Sequence, residues 1–340
     1  MYDFAFIDLF AGIGGFHVAG SQLGGHCVFA CEIDEPAKAA YKHNYGIEPY
    51  GDITTLDENM IPDHDILFAG FPCQPFSIIG SQMGFDDTRG TLFFEIIRIM
   101  KVKRPSMFIL ENVKQLKTHD NGRTFEIIIR NLEKLGYDVF STVLNALDYG
   151  LPQKRERAII VGFSEKTPRF SFPEPTGKGK LEDILENEDL VDKKFFVSKD
   201  IYNKRMAKHK SDITPSIWHE NVAGNISSHP FSCALRAGAS YNYLLVNGKR
   251  RLTPREMLRL QGFPDTFEIV CSDYQTRKQA GNAVPVNVIR EVLKEVLNAR
   301  YSKAKRFEKE DNARIVSAWS DSLAASCKNG ENAYLLSRNR

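Results

Sequence analysis

The sequence predicts an α/β fold built on a parallel sheet, and three observations predict it. Short apolar runs (Phe4 to Phe10, Cys27 to Ala30, Ile66 to Ala69, Met107 to Leu110) alternate with stretches of helical period. The first run feeds a glycine turn, Gly12-Ile13-Gly14-Gly15, that opens a helix. Polar residues then stand just beyond three successive runs: Glu32, Cys73 and Glu111. In an open parallel sheet such strand ends share one edge, and ligands bind there.

The 340 residues, 42% hydrophobic and 26% charged, suffice for one large domain, or for one large and one small. A net charge of +2 does not by itself imply a nucleic-acid partner. Cys27, Cys31, Cys73, Cys233, Cys271 and Cys327 form neither a paired framework nor a zinc spacing, so no metal is expected. The N-terminus lacks a basic region followed by an apolar one, and no 18-residue apolar run occurs. The expectation is a soluble cytoplasmic protein with free thiols.

In chain order, the strand Phe4 to Phe10 runs through the glycine turn into a helix from Phe16 to Leu23. The strand Cys27 to Ala30 follows, with Glu32 and Asp34 at its tip. Glycines let backbone approach a ligand closely, and an acid at the second tip can accept from ribose hydroxyls. Gly14 and Gly15 are adjacent and no third glycine opens the helix, so this is not the dinucleotide fingerprint. An adenosine-containing cofactor is favoured without a specific sign of pyrophosphate. Asp52, after Gly51, is a further polar tip.

The run Ile66 to Ala69 delivers the loop Gly70-Phe71-Pro72-Cys73-Gln74-Pro75-Phe76-Ser77. Two prolines restrict the backbone on either side of Cys73, and a rigid loop at a strand end suits a reactive group. Taken alone, Cys73 is more simply a small buried hydrophobe, as most free cysteines are. Residues 80–91, rich in Gly and Asp, read as a loop able to act as a lid. Leu92, Phe93, Ile96, Ile97 and Met100 share one helical face, and the next strand ends in Glu111-Asn112-Val113. A helix from Thr124 to Leu135 and strands at Asp138 to Leu144 and Ala158 to Phe163 follow. Arg155 and Arg157 alternate and so face one way if extended, which a solvated basic strand start also explains.

After Phe163 the prolines and glycines of 168–179 make a linker. Residues 193–251 then carry eleven basic against three acidic residues, interleaved with Tyr202, Trp218, His219, His229, Tyr241 and Tyr243. A basic, aromatic, loop-rich segment fits phosphate plus base-edge contacts, with an ordinary basic face as the bland alternative. Thr253 and Pro254 start a helix ended by Gly262-Phe263-Pro264. Gly281-Asn282-Ala283-Val284-Pro285 is expected to start another through Ala299, with Val288, Ile289, Val292, Leu293 and Val296 facing a sheet. The tail from Tyr301 is charged and polar.

Six stretches in this order resemble the cytosine-C5 DNA methyltransferases. They are Phe6 to Gly15, Gly70 to Gln74, Glu111-Asn112-Val113, Gln153 to Arg157, Arg255 to Pro264 and Gly281 to Val284. The compact length with a single variable segment is similar to a bacterial modification enzyme of a restriction–modification system. The resemblance implies a large Rossmann-like S-adenosylmethionine-dependent methyltransferase domain (residues 1–165) and a small, irregular, mostly β target-recognition domain (166–280). A returning helix (281–300) and a charged tail (301–340) complete the expected layout.

By the same resemblance, Cys73 is the nucleophile that adds to cytosine C6, and Glu111 holds the N3 and N4 edge of the base. Arg157 is expected to face the base O2 and Arg155 to orient Glu111 or a phosphate, though the two could exchange. S-adenosylmethionine is expected against Phe10, Gly12, Ile13, Gly14, Glu32, Ile33, Asp52, Ile53, Pro72 and Asn282, with no metal. Ile33 replaces the large aromatic of many relatives, and Ile79 their small polar residue. Duplex DNA is expected at Gln74, Ser77, Arg89, Arg236, Tyr241, Arg250 and Arg251, with the target cytosine flipped out of the stack. A monomer functionally paired with a cognate restriction endonuclease is implied. Two other readings compete: a tRNA cytosine-C5 methyltransferase on the same scaffold, and a non-enzymatic regulator that kept the fold. The basic insert argues against the first, and the retention of both Cys73 and Glu111 against the second.

Overall fold

A six-stranded mixed sheet in the order β2-β1-β3-β4-β7-β5 forms the centre of the fold, in a computed structural model that describes residues 2–72, 92–167, 169–240 and 242–301. β1 (Phe4–Leu9), β2 (Gly25–Cys31), β3 (Ile66–Ala69) and β4 (Met107–Val113) are parallel. β7 (Glu156–Phe163) runs antiparallel between β4 and β5 (Asp138–Asn145), so the sheet is mixed rather than wholly parallel. β6 (Gln153–Lys154) lies outside it.

All four residues of β3 are buried, with no alternation, as expected of a central strand covered on both faces. The helices doing the covering include α1 (Gly15–Gln22), α2 (Glu35–Tyr45), α3 (Leu92–Lys103) and α4 (Arg123–Lys134). Phe16 of α1 stacks on Phe68 of β3 at 5.1 Å between ring centres. Of the face its helical spacing predicted, Phe93, Ile96, Ile97 and Met100 of α3 are buried and Leu92 is half-buried; Ile99 is buried besides. Asp34 caps α2, its side chain accepting from Ala37 N–H, and Pro36 sits in the first turn.

β1 pairs with β2 on one side and β3 on the other. The chain therefore leaves β1 in one direction and returns on the opposite side, which opens a crevice at the carboxyl ends of these strands. That crevice is where Gly12, Glu32 and Glu111 converge.

The expected target-recognition segment contains α5 (Lys199–Lys208), which the sequence reading did not foresee, and a three-stranded sheet. That sheet has the order β11 (Leu244–Val246), β8 (Ile217–Glu220), β9 (Ile226–His229). β10 (Ser232–Cys233) pairs instead with β6, bringing this segment to the arginine-bearing strand start. α6 (Pro254–Leu260) begins with a capping box of Thr253 and Glu256. α7 spans Asp273–Asn282, so Gly281 and Asn282 end a helix rather than start one. The next helix, α8, covers residues 286–301, after Pro285, with Val288, Ile289, Val292 and Leu293 buried. The chain divides into two units at residues 295 and 296; of the second, the described residues 296–301 are the end of α8.

Candidate active site

The glycine turn sets one wall of the site. Phe10, Gly12 and Gly14 all have left-handed backbone, with φ of 56°, 56° and 84°. Phe10 is not a glycine, and such a conformation costs on the order of 1–3 kcal/mol, held by the structure around it. The turn brings the Gly12 N–H to Glu32, which accepts it on Oε2 at 2.8 Å. Glu32 Oε1 accepts the Asp34 N–H at 2.8 Å. The carboxylate at the β2 tip is thus fixed by two backbone donors, and each oxygen keeps lone pairs for further donors.

The opposite wall comes from β4 and β7. Glu111, buried near the end of β4, accepts from Arg157 Nε on Oε1 at 2.8 Å. Burial pushes the Glu111 carboxyl above the usual carboxylate range, against the pull of Arg157 and Arg155. The side-chain amide of Asn112 donates to the Phe71 carbonyl at 2.9 Å, tying the β4 tip to the chain just before Pro72 and Cys73.

At Glu111 the structure reverses the expected assignment of the two arginines. Arg157 holds Glu111. Arg155 is buried and donates to the carbonyls of Leu235 at 3.0 Å, Gly281 at 3.1 Å and Ala283 at 2.8 Å. It is therefore neither Glu111's hydrogen-bond partner nor presented to a phosphate, and its charge reaches Glu111 only through space. Arg155 instead joins the start of β7 to the Gly281–Ala283 segment. Gln153 makes the parallel tie, accepting from Leu235 N–H at 2.9 Å and donating to Leu260 O at 2.8 Å.

Between the walls lies a cavity of about 410 Å³. Phe10, Gly12, Glu32, Ile33, Pro72, Glu111, Arg155, Arg157 and Asn282 line it, which brings together nine of the residues singled out from sequence. The volume lies within the roughly 300–1,000 Å³ of small-ligand pockets. Ile33 offers an exposed apolar face where an aromatic was missed, and Gly12 has open space where a Cβ would stand. Apolar walls, a fixed carboxylate and an unobstructed backbone fit an adenosine-containing ligand at the Glu32 end. Among the described residues, no group of three or more His, Cys, Asp or Glu could hold a metal ion.

Other sequence expectations fall elsewhere. Ile13 and Ile53 are buried in the core, and Asp52 caps the turn Ile53–Thr55; with Gly14, these do not line the cavity. Arg250 is a correction: it is 1% exposed and forks onto Glu256, with Nη1–Oε2 at 2.9 Å and Nη2–Oε1 at 2.8 Å. Its charge is committed inside the protein, so it is not a DNA ligand. Arg251 donates to the Lys194 carbonyl, and Arg236 is exposed and lies over the Tyr243 ring at 4.9 Å. Cys73, Gln74, Ser77, Ile79, Arg89, Tyr241, the 80–91 loop and the tail from residue 302 lie outside the described residues.

Sequence reasoning passed over Asp8. It is fully buried on β1, its carboxyl pushed well up by burial and by nearby Glu32, with Tyr41 Oη 3.5 Å from Oδ2. A lone acid inside the apolar run Phe6-Ile7-Asp8-Leu9 was the signal available for it.

A model of the family described as C-5 cytosine-specific DNA methylase matches residues 4–298. The type II methyltransferase M.HaeII of Haemophilus aegyptius is 55% identical over 301 residues, 88% of this chain and 94% of its own. M.NgoBI of Neisseria gonorrhoeae, also a type II methyltransferase, is 58% identical over 285 residues, 83% of this chain and 90% of its own. Among solved structures, a mutant DNMT2 of Spodoptera frugiperda superposes with a TM-score of 0.68 at 22% identity, covering 86% of this chain and 99% of that one. That likeness supports the fold.

Proposed function

This chain belongs to the C-5 cytosine-specific DNA methylase family and is a DNA cytosine-5 methyltransferase, and from that premise we propose its chemistry and setting. The enzyme acts on one cytosine within a short duplex site, flipped out of the stack at a cost of about a few kcal/mol. When bound, S-adenosylmethionine supplies a methyl group on a sulfonium, an electrophile that unaided C5 of cytosine attacks poorly. The Cys73 thiolate adds to C6 and raises the electron density at C5. Glu111 gives a proton to N3 as the adduct forms, so the developing negative charge does not accumulate on the ring. C5 takes the methyl group, leaving S-adenosylhomocysteine; a base then removes the C5 proton, the C5–C6 double bond re-forms as the thiolate leaves, and the N3 proton returns to Glu111. No described side chain stands out for that removal, and a water serves.

One observation carries this reading. The fixed Glu32 carboxylate and the Glu111–Arg157 pair line a single cavity whose rim includes Pro72, the residue before Cys73. Burial that lifts the Glu111 carboxyl favours the protonated form the N3 contact requires. Gly12, Glu32, Ile33 and Asn282 would hold the cofactor, and Phe10 would pack on it. Exposed Arg236, with the basic segment around it, supports duplex binding by phosphate contacts. The enzyme works as a monomer in the bacterial cytoplasm and protects DNA from a cognate restriction endonuclease.

Bisulfite sequencing of DNA from a host expressing the chain tests this reading. Protected cytosines confined to one short recurring sequence are expected. Absence of any protected cytosine in DNA, with transfer to tRNA in vitro, would shift the substrate to the tRNA alternative.

A further inference from the structure

The cavity wall at the glycine turn is supported from behind by a residue that does not line the cavity. Tyr45, the last residue of α2, donates its hydroxyl to the Ile13 carbonyl at 2.9 Å, with the Gly14 carbonyl 3.4 Å away. Its ring lies against Gly14 so closely that a Cβ there would stand 2.3 Å from Tyr45 Cε2. The ring is itself fixed on two sides. It stacks on His17 of α1 at 3.9 Å between centres and meets Tyr41 edge-on at 4.7 Å. His17 Nδ1 and Tyr41 Oη are 2.8 Å apart.

The helix end that carries Tyr45 is pinned in turn. The Asn44 side chain donates to the Glu268 carbonyl at 3.0 Å and accepts from the Glu268 N–H at 2.7 Å. The Cys271 thiol reaches the Pro36 carbonyl at 3.3 Å, near the start of the same helix. The turn that Tyr45 contacts has left-handed residues at Phe10, Gly12 and Gly14, and Gly14 caps α1 with no side chain to help. Glycines leave such a turn many conformations, and the one it adopts presents the Gly12 N–H to Glu32.

We propose that Tyr45 is a positioning residue for the cofactor turn, holding the Ile13–Gly14 peptides from the side opposite the cavity. It contacts no substrate atom. It raises the fraction of molecules whose turn is already shaped for the ligand, and apparent affinity scales with that fraction. The proposal rests on the assignment of this cavity to S-adenosylmethionine.

The test is calorimetric binding of S-adenosylhomocysteine to the full-length wild type and to Tyr45→Phe, which deletes one hydroxyl and keeps the ring. Loss of one hydrogen bond to the turn is expected to weaken binding about three- to tenfold. The KM for S-adenosylmethionine should rise by a similar factor. kcat at saturating cofactor and DNA should stay at the wild-type value, and the ligand-free denaturation midpoint should change little. Equal affinity of the two proteins would overturn the proposal. So would weakened binding accompanied by a matching fall in kcat or a large fall in the midpoint, which would make Tyr45 a packing residue. Failure of the wild type itself to bind would strike the cavity assignment first, and this inference with it.

Discussion

The pairing of Arg157 with Glu111 makes a prediction whose size can be worked from the structure. The two side chains are 13% and 9% exposed and meet at 2.8 Å. Arg157→Ala removes the cation and leaves a buried carboxyl. Breaking a buried pair costs about 3–5 kcal/mol when the remaining charge cannot escape. Glu111 can escape by taking a proton, because burial already lifts its pKa and Arg157 is the strongest opposing influence. A raised carboxyl binds its proton more tightly in the native state than in the unfolded chain. Stability is therefore retained below the unfolded value and is lost as pH rises through the native one. The full cost appears only at the alkaline end, where it corresponds to a fall in Tm on the order of 10 °C. Denaturation of wild type and variant at pH 5.5 and pH 8 should show a gap that widens with pH. Adding Glu111→Gln, which removes the stranded charge, should recover most of the loss at pH 8. A gap equal at both pH values, or a double variant as unstable as the single one, would refute the reasoning. In activity, a misplaced N3 proton donor should cost about 10²-fold or more in kcat.

Three further outcomes follow from the same contacts. Cys73→Ala should abolish methyl transfer while duplex binding, followed by gel shift, survives; full activity would remove Cys73 from the mechanism. Glu32→Ala strips the acceptor from the Gly12 and Asp34 N–H groups, so the dissociation constant for S-adenosylhomocysteine should rise about tenfold to a hundredfold. Arg250→Ala breaks a fully buried fork to Glu256 and should destabilise the protein by about 3–5 kcal/mol, read by denaturant titration; normal stability with weakened DNA binding would contradict the structural role assigned here.

Much of this was legible because the relevant signals are local. The turn at Gly12 to Gly15, the acid at Glu32 and the apolar run into Glu111 each follow from short-range chemistry, and strand parallelism carries them to one edge. What was not legible depends on contacts between residues far apart in the chain. Arg155 and Arg157 look equivalent two residues apart, yet one meets Glu111 and the other meets carbonyls about 80 and 126 residues away. Arg250 and Arg251 look like a surface pair, but Arg250 turns inward to Glu256. The helix through Ala299 was legible and begins just after Pro285, but α7 before it was not, because its sequence Asp273–Asn282 is polar and carries no apolar stripe. Tyr45 carries no motif, and its contact with the glycine turn comes only from what surrounds it.

The central claim is methyl transfer to carbon 5 of cytosine in duplex DNA. Purified protein, incubated with methyl-labelled S-adenosylmethionine and duplex DNA, followed by digestion to nucleosides, tests it directly. The label is predicted in 5-methylcytidine's deoxy form alone. Label in N4-methylcytosine or N6-methyladenine would contradict the account.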